Sequence, residues 1–302
     1  MNVEHTAIPY FKAWDDVPSG LFSKSALREK GLNPGPLRAT VYQRANNRRI
    51  ELYSIEEATA RKPATEKQKQ AIERARAAKA AARTCSRCQC VWNKPKDLIN
   101  GLCSGCRHDV WLENARIIAI EDFRGWAEAK DSYVVVDVET NQLGDGAEII
   151  ELSIVDLDEN VLFESLIKPN APVTEEATAI HGITNEMLLN APGWVEVWDN
   201  AHKALEGRTL LIYNAAFDIG QIDSSCRRHQ VPFPHLQYRC VMETFSRVMM
   251  SYSAYHNNFT WISLADAMQT YCIIGDRSHR STNDCRNLVK LIREIARNPA
   301  GK

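Results

Sequence analysis

Four acidic residues and one histidine stand at the ends of apolar segments, where a buried charge needs a partner. Asp137 and Glu139 close the segment YVVVDVETNQL, and Asp218 follows the apolar run LLIYN. His279 and Asp284 lie together in the segment HRSTNDC. Burying an ionised carboxylate without a partner costs much free energy, so a cation is expected beside these residues. Carboxylate oxygens are ligands that favour Mg²⁺ or Mn²⁺ over zinc.

Each of these residues, taken alone, has a simpler interpretation. An Asp at a strand end is commonly a turn residue, and an Asp in a first helical turn interacts with the helix dipole. A lone His before a helix is commonly a surface or capping residue. The hypothesis of one metal site therefore depends on the elements that bring the five residues together.

The order of the elements predicts an α/β domain in the second part of the chain. Three strands with short connections, at 133–139, 147–156 and 160–168, predict an antiparallel meander. A fourth strand at 209–214 is predicted among helices at 194–206, 217–229, 240–250, 262–272 and 282–297. Asp137 and Glu139 are two residues apart on the first strand, so their side chains share a face. Ser281 or Thr282 is the expected N-cap of the last helix.

Three segments together resemble a known family. VVVDVET, LLIYNAAFDIG and HRSTND, in this order and at these separations, are similar to the three motifs of the DEDDh 3′–5′ exonucleases. This is the family of the proofreading subunit of bacterial replicative DNA polymerase. IHGITNEML, residues 180–188, resembles a fourth feature of that family, and the resemblance covers about residues 130–298. It implies a ribonuclease H-like fold, with a mixed sheet flanked by helices.

The resemblance also implies roles for individual residues. The predicted ligands of two Mg²⁺ or Mn²⁺ ions are Asp137, Glu139, Asp218 and Asp284, and His279 is the predicted general base. The residues predicted to contact the terminal nucleotide of the substrate are Thr140, His181, Asn214 and Phe217. The implied products are nucleoside 5′-monophosphates released from a 3′ end. The sequence departs from the family in having Ser281 where alanine is usual and Tyr213 where histidine is frequent.

Five of the nine cysteines lie between residues 85 and 106. Two C-x₂-C pairs, CSRC and CSGC, supply Cys85, Cys88, Cys103 and Cys106. This spacing predicts a closed tetrahedral site for one structural Zn²⁺. Cys90 and His108 are spare donors, and a redox disulfide is the alternative interpretation.

The charge is divided unequally along the chain. Residues 1–110 hold 20 Lys and Arg against 11 Asp and Glu, a net of +9, and residues 111–302 have a net of −10. A basic first part suits a polyanionic partner, although a charged helix surface alone would give the same pattern. No apolar run is long enough to cross a membrane, and the first residues lack a secretion signal, so a cytoplasmic protein is expected.

The sequence thus predicts a metal-dependent 3′–5′ exonuclease whose partner is a nucleic acid with a 3′ end, DNA rather than RNA. The alternatives are an RNA-trimming enzyme on the same fold and a nucleic-acid-binding scaffold with an inactive exonuclease domain. A protein partner of the zinc region is a further hypothesis. The predicted parts are a small basic N-terminal module (1–62), a helical linker (63–84), a Cys₄ zinc module (85–117) and the exonuclease domain (118–302).

Overall fold

The computed structural model describes residues 8–144, 146–276 and 279–301. The chain divides into two compact units. The first consists of the chain up to Cys85 together with residues 89–97, and the second of residues 86–88 and the chain from Leu98 onward. The division into four parts made from the sequence stays a prediction.

The first unit is built on a small sheet. Its elements are β1 (Tyr10–Phe11), β2 (Leu21–Ser23), α1 (Lys24–Glu29), β3 (Leu32–Asn33), β4 (Leu37–Gln43), β5 (Arg48–Ser54), β6 (Thr59–Ala60) and α2 (Glu66–Ala81). The four-stranded sheet has the order β1-β4-β5-β2, and Ala39, Val41 and Leu52 form its buried side. The hairpin β4–β5 turns at Asn47, because Asn accepts the left-handed conformation that this residue adopts (φ 48°).

Helix α2 follows the sheet of the first unit. Thr65 begins it with a capping box, in which the Thr65 hydroxyl accepts from the N–H of Gln68 and the Gln68 side chain accepts from the N–H of Thr65. No residue of α2 is buried. Its helical state therefore depends on the cap and on the helix-forming Ala, Glu, Lys and Arg residues of its sequence.

The second unit contains a five-stranded sheet. Its elements are α3 (Ser104–Glu128), β7 (Tyr133–Thr140), β8 (Ile149–Asp156), β9 (Val161–Leu166), α4 (Glu175–His181), α5 (Trp194–Leu205), β10 (Thr209–Ile212), α6 (Ala215–Arg228), β11 (Tyr238–Cys240), α7 (Val241–Val248), β12 (Tyr252–Ser253), β13 (Asn258–Phe259), α8 (Leu264–Thr270) and α9 (Ser281–Arg297). The strand order is β11-β10-β7-β8-β9. Strands β7, β10 and β11 are parallel, and β8 is antiparallel to both of its neighbours. This is the predicted mixed sheet with a ribonuclease H-like strand order.

Helices cover both faces of this sheet, and the valines of β7 show why. Val135 packs on one face with Phe123 of α3, Phe245 of α7 and Leu288 of α9. Val134 and Val136 point to the opposite face, where they join a core with residues of α5 and α6. A strand that is buried on both faces is uniformly apolar, so the run of three valines predicts its central position. The prediction of an α/β domain is confirmed.

The sequence did not predict helices α3 and α4 or strands β11, β12 and β13 of the second unit. Helix α3 runs without a break from Ser104 to Glu128 and buries Ala119, Phe123 and Trp126 against the core. Strand β11 adds three residues to the edge of the sheet. In the part of the chain that the structure describes, no helix has the length and apolar character needed to cross a membrane.

Candidate active site

The predicted acidic residues meet at one edge of the large sheet. Strands β7 and β10 are parallel, so their carboxyl ends lie side by side. Asp137 and Glu139 are at the end of β7, and Asp218 is in the first turn of α6, which follows β10. Crevices at the carboxyl ends of parallel strands are common ligand sites in α/β proteins.

Three carboxylates form a tight cluster at this edge. One oxygen each of Asp137, Glu139 and Asp284 can be chosen so that all three lie within 4.8 Å of one another. Asp218 approaches from α6 and is 4% exposed. Its Oδ1 accepts a hydrogen bond from the N–H of Val138 (3.2 Å), between the two acidic residues of β7. The structure thus brings all four predicted acidic residues to one place.

Asp284 is held there by the first turn of α9, which docks on β8. Ser153 of β8 is fully buried, and its hydroxyl lies 2.6 Å from the hydroxyls of both Ser281 and Thr282. The prediction that Ser281 or Thr282 caps α9 is therefore wrong. The N-cap residue is Arg280, without a side-chain cap, because both hydroxyls bond to the neighbouring strand instead. The contact with Ser153 also accounts for a serine at position 281.

The buried ion pair between Glu151 and Arg280 was missed by the sequence analysis. Glu151 is 1% exposed and lies opposite Glu139 on the adjoining strand. Its carboxylate accepts from Nε of Arg280 at 2.9 and 3.1 Å, from Nη2 of the same residue, and from the N–H of Ser281 at 2.9 Å. A glutamate within the apolar segment IIELSIVD was the available signal.

Hydrogen bonds hold Arg280 and Ser281, directly after His279, and Asp276, three residues before it. Glu151 holds the residues after it, and Asn287 of α9 holds Asp276 before it, donating from Nδ2 to the Asp276 carbonyl (2.9 Å). Gly275 is needed for this approach, since a Cβ there would lie 2.4 Å from Oδ1 of Asn287. His279 itself stays exposed, with Nδ1 3.8 Å from Oδ2 of Asp284. It therefore stands at the open rim of the acidic cluster.

The crowding of these carboxylates opposes their ionisation. Burial raises the pKa of Asp137 well above its usual range, and the charges of Asp218 and Glu139 raise it further. Burial, followed by the charge of Asp284, raises the pKa of Glu139 to about 8. Burial raises the pKa of Asp218 to about 7 and also raises that of Asp284. In the absence of a cation, the cluster therefore retains protons near neutral pH.

The donor set fits a hard divalent cation. All its ligand atoms are carboxylate oxygens, which Mg²⁺ and Mn²⁺ prefer. A divalent cation would also reverse the unfavourable interaction among the negative charges. Arg280 is a nearby cation, but its guanidinium is engaged by Glu151 rather than by the cluster. The residues present thus fit divalent metal ions at Asp137, Glu139, Asp218 and Asp284.

A cavity of about 530 Å³ opens directly beside Glu139. Its walls are mainly apolar, and Leu143, Ile180 and Phe217 are among them. Leu143 is 76% exposed and Ile180 52% exposed. Pockets for small organic groups have this size and an apolar lining. We call it the Glu139 pocket.

The residues predicted to contact the substrate lie in different settings. His181 and Thr140 line the Glu139 pocket together with Phe217. Nδ1 of His181 accepts from the N–H of Ile183 (3.0 Å), so Nε2 donates to the carbonyl of Thr140 (3.2 Å). Burial lowers the pKa of His181 and favours its neutral form. Asn214 is exposed at the start of α6, and does not line the pocket.

Three of the predicted zinc ligands come together in the second unit. The sulfur atoms of Cys88, Cys103 and Cys106 lie within 4.8 Å of one another. Cys103 is the N-cap of α3, and its sulfur accepts from the N–H of Cys106 (3.5 Å). Three thiolates could supply most of a tetrahedral zinc site, and Cys85 as the fourth ligand stays a prediction.

Comparison with known proteins identifies the second part of the chain. The family described as "RNase_T: Exonuclease" matches residues 134–292. An uncharacterized exonuclease of Escherichia phage 186 is 31% identical over 182 residues, which cover 58% of this chain and 92% of that protein. The chain belongs to the exonuclease family. The prediction of a 3′–5′ exonuclease is thereby confirmed.

A further relative and a solved structure are also similar to this exonuclease. The DNA polymerase III subunit epsilon of Escherichia coli K12 is 40% identical over 100 residues, which are 30% of this chain and 41% of that subunit. The nuclease domain of 3′hExo, a DEDDh family member solved with rAMP, has a TM-score of 0.46 and 15% identity, over 58% of this chain and 96% of that domain. The exonuclease thus spans less than half of the epsilon subunit that it matches.

Proposed function

We propose that the acidic cluster is the catalytic centre of a metal-dependent exonuclease that shortens DNA from its 3′ end and releases nucleoside 5′-monophosphates. The observation that carries this proposal is the convergence of Asp137, Glu139 and Asp284 within 4.8 Å, with Asp218 beside them. These residues would hold two Mg²⁺ or Mn²⁺ ions. Such ions, when bound, supply an activated water and neutralise charge on the leaving oxygen.

His279 is suited to act as the general base. Its ring stands at the rim of the cluster, and its Nδ1 lies 3.8 Å from the Asp284 carboxylate. A histidine can accept a proton near neutral pH and release it to solvent. His279 is exposed, so the proton has a path to bulk water. The anchors on either side of it, at Asp276 and Arg280, keep the imidazole close to the cluster.

The Glu139 pocket is suited to the terminal nucleoside. Its apolar walls would cover a base, and Glu139 at its margin would place the scissile phosphodiester at the acidic cluster. Both ring nitrogens of His181 are occupied by protein partners, so this residue would contact the nucleoside through the ring rather than through a free nitrogen. The proposed role of Phe217 is contact with the base, and that of Asn214 is polar contact outside the pocket.

DNA is proposed as the substrate because several relatives bear the name of a DNA polymerase III subunit. The ribose 2′-hydroxyl distinguishes RNA from DNA by local contacts. A time course on 5′-labelled single- and double-stranded DNA and RNA, with Mg²⁺, Mn²⁺ or chelator, tests the proposal. We expect a ladder of 3′-shortened DNA with either metal ion and intact DNA with chelator. Faster shortening of RNA would reassign the substrate, and shortening from the 5′ end would contradict the proposed polarity.

The cysteine cluster is proposed to hold one structural Zn²⁺. Four cysteine ligands leave no open coordination position, so this ion would stabilise the chain around Cys103 and the start of α3 without taking part in hydrolysis. A protein partner for this region and a cytoplasmic location stay predictions.

A further inference from the structure

The sheet of the first unit presents aromatic and basic side chains on its outer side. We define the tyrosine–arginine face as Tyr10, Tyr42, Arg44 and Arg49. Tyr10 belongs to β1, Tyr42 to β4 and Arg49 to β5, while Arg44 lies in the turn between β4 and β5. The catalytic centre proposed above contains none of these residues.

The strand pattern explains why this side of the sheet is available. Ala39 and Val41 of β4 are buried in the core of the unit, so Tyr42 points to the opposite side. Arg49 lies directly across from Tyr42, in the antiparallel register of β4 and β5. The face is therefore fixed by regular strand pairing.

Direct contacts order the side chains of this face. The guanidinium carbon of Arg49 lies 4.7 Å from the centre of the Tyr10 ring, a cation–π arrangement. Tyr10 is nevertheless 43% exposed. The hydroxyl of Tyr42 donates to Oδ1 of Asn47 (2.6 Å) and so ties its ring to the hairpin turn. An aromatic ring and a planar guanidinium are thus held next to each other before any ligand arrives.

Among the described residues, no acidic side chain forms an ion pair with the arginines of this face. Arg44 and Arg49 are both exposed. Glu51 is on the same side of β5 as Arg49, and its carboxylate accepts from the hydroxyl of Tyr53 (2.6 Å). Each of the two guanidinium groups can bind a phosphate.

We infer that the tyrosine–arginine face binds single-stranded nucleic acid. Arg44 and Arg49 contact phosphates, and a base stacks on the exposed ring of Tyr10. A single strand is the expected ligand because its bases expose their faces for stacking, whereas a duplex covers them. This binding site goes beyond the proposed hydrolysis, since it requires neither a metal ion nor a 3′ end.

The test measures binding by the full chain in the presence of EDTA, so that hydrolysis plays no part. The ligand is a fluorescent oligothymidine of about 16 nucleotides, and fluorescence anisotropy is recorded between about 50 and 200 mM salt. Arg44→Ala and Arg49→Ala are combined in one variant. Its matched control combines Lys24→Ala and Arg28→Ala, which removes the same charge from exposed positions elsewhere in the unit.

Removal of the two arginines should flatten the slope of log K against log salt by about 1.4, at about 0.7 for each lost phosphate contact with a single strand. The control variant should keep the wild-type slope. Tyr10→Leu should weaken binding of oligothymidine about tenfold and leave binding of an abasic strand unchanged, because it removes stacking alone. Thermal unfolding of each variant checks that the first unit remains folded.

Equal losses of affinity in the arginine variant and its control would overturn the inference. Equal affinity for oligothymidine and for polyglutamate would overturn it, and so would an unchanged affinity of Tyr10→Leu for oligothymidine. Tighter binding of a blunt duplex than of the single strand would also contradict it. An oligouridine arm shows which sugar is preferred, and binding of either single strand supports the inference. Because metal is absent throughout, these outcomes are separate from the success or failure of the proposed hydrolysis.

Discussion

Replacing Arg280 by methionine should destabilise the second unit more than its position near the surface suggests. Arg280→Met keeps the aliphatic part of the side chain but removes the cation from Glu151, whose side chain is 1% exposed. Breaking a buried ion pair on one side typically costs about 3–5 kcal/mol, because the remaining charge stays buried. We expect about 3 kcal/mol, the low end of that range, since the Arg280 side chain is itself 32% exposed.

A matched control is Arg293, which lies on α9, the helix that follows Arg280. The Arg293 side chain is also 32% exposed, but its acidic partners Glu159 and Asp158 are 29% and 47% exposed and therefore solvated. Arg293 also donates to the carbonyl of Leu157. Arg293→Met should cost about 1 kcal/mol or less, as expected for a surface ion pair. The double variant Glu151→Gln/Arg280→Met removes both charges and should recover most of the stability lost in the single variant.

A urea titration read by hydrogen exchange in peptides from β7 and β8 reports on the second unit alone. With a denaturant slope of about 1–3 kcal/mol per molar urea, a loss of 3 kcal/mol lowers the midpoint by about 1–3 M. Equal midpoints for Arg280→Met and Arg293→Met would refute the reasoning. A double variant less stable than Arg280→Met would refute it as well, because removal of the second charge should relieve the first.

Three further predictions concern metal ions and protons. Turnover of His279→Ala should fall about 10²–10⁴-fold, while calorimetry still detects Mg²⁺ binding. Turnover of this variant at the wild-type rate would mean that another residue is the general base. Burial raises the pKa values of Glu139 to about 8 and Asp218 to about 7, so the metal-free folded protein binds more protons than the unfolded chain above about pH 4.5. Its free energy of unfolding should therefore fall as the pH rises from about 4.5 through these pKa values, and it should fall less steeply in Glu139→Gln. Thermal unfolding in EDTA at several pH values measures the fall. A stability that rises with pH over this range would contradict the prediction. Elemental analysis should find one zinc ion per chain. This ion should be lost when Cys103 and Cys106 are both replaced by serine and retained in Cys90→Ser. Protein that contains no zinc after purification without chelator would contradict the site.

Strong local patterns allowed the main strands and the acidic residues to be predicted from the sequence. The valines before Asp137 indicated a strand buried on both faces, and the two-residue spacing to Glu139 placed both carboxylates on one face. Helix α3 was missed because its first residues were interpreted as part of a zinc loop. Its buried Ala119, Phe123 and Trp126 have the spacing of one helical face, so the signal was present.

The contacts that hold the site in place were harder to predict because they depend on strand register. Glu151 faces Glu139 and Ser153 faces Asp137, and these pairings are known only once β7 and β8 are aligned. A sequence motif can identify Ser281 as a possible cap, but it cannot show that a buried hydroxyl on another strand competes for the same side chain. Strand β11 has only three residues and two of them are exposed, so it carries almost no pattern.

The most direct test of the catalytic centre compares Asp284→Asn with Asp199→Asn in one assay. Both variants remove one carboxylate charge, but Asp284 belongs to the acidic cluster and Asp199 is exposed on α5. The assay follows 3′-end shortening of a 5′-labelled DNA strand with Mn²⁺ at saturating enzyme. The account predicts that Asp284→Asn loses nearly all shortening, whereas Asp199→Asn matches the wild type. Shortening by Asp284→Asn at the wild-type rate would contradict it.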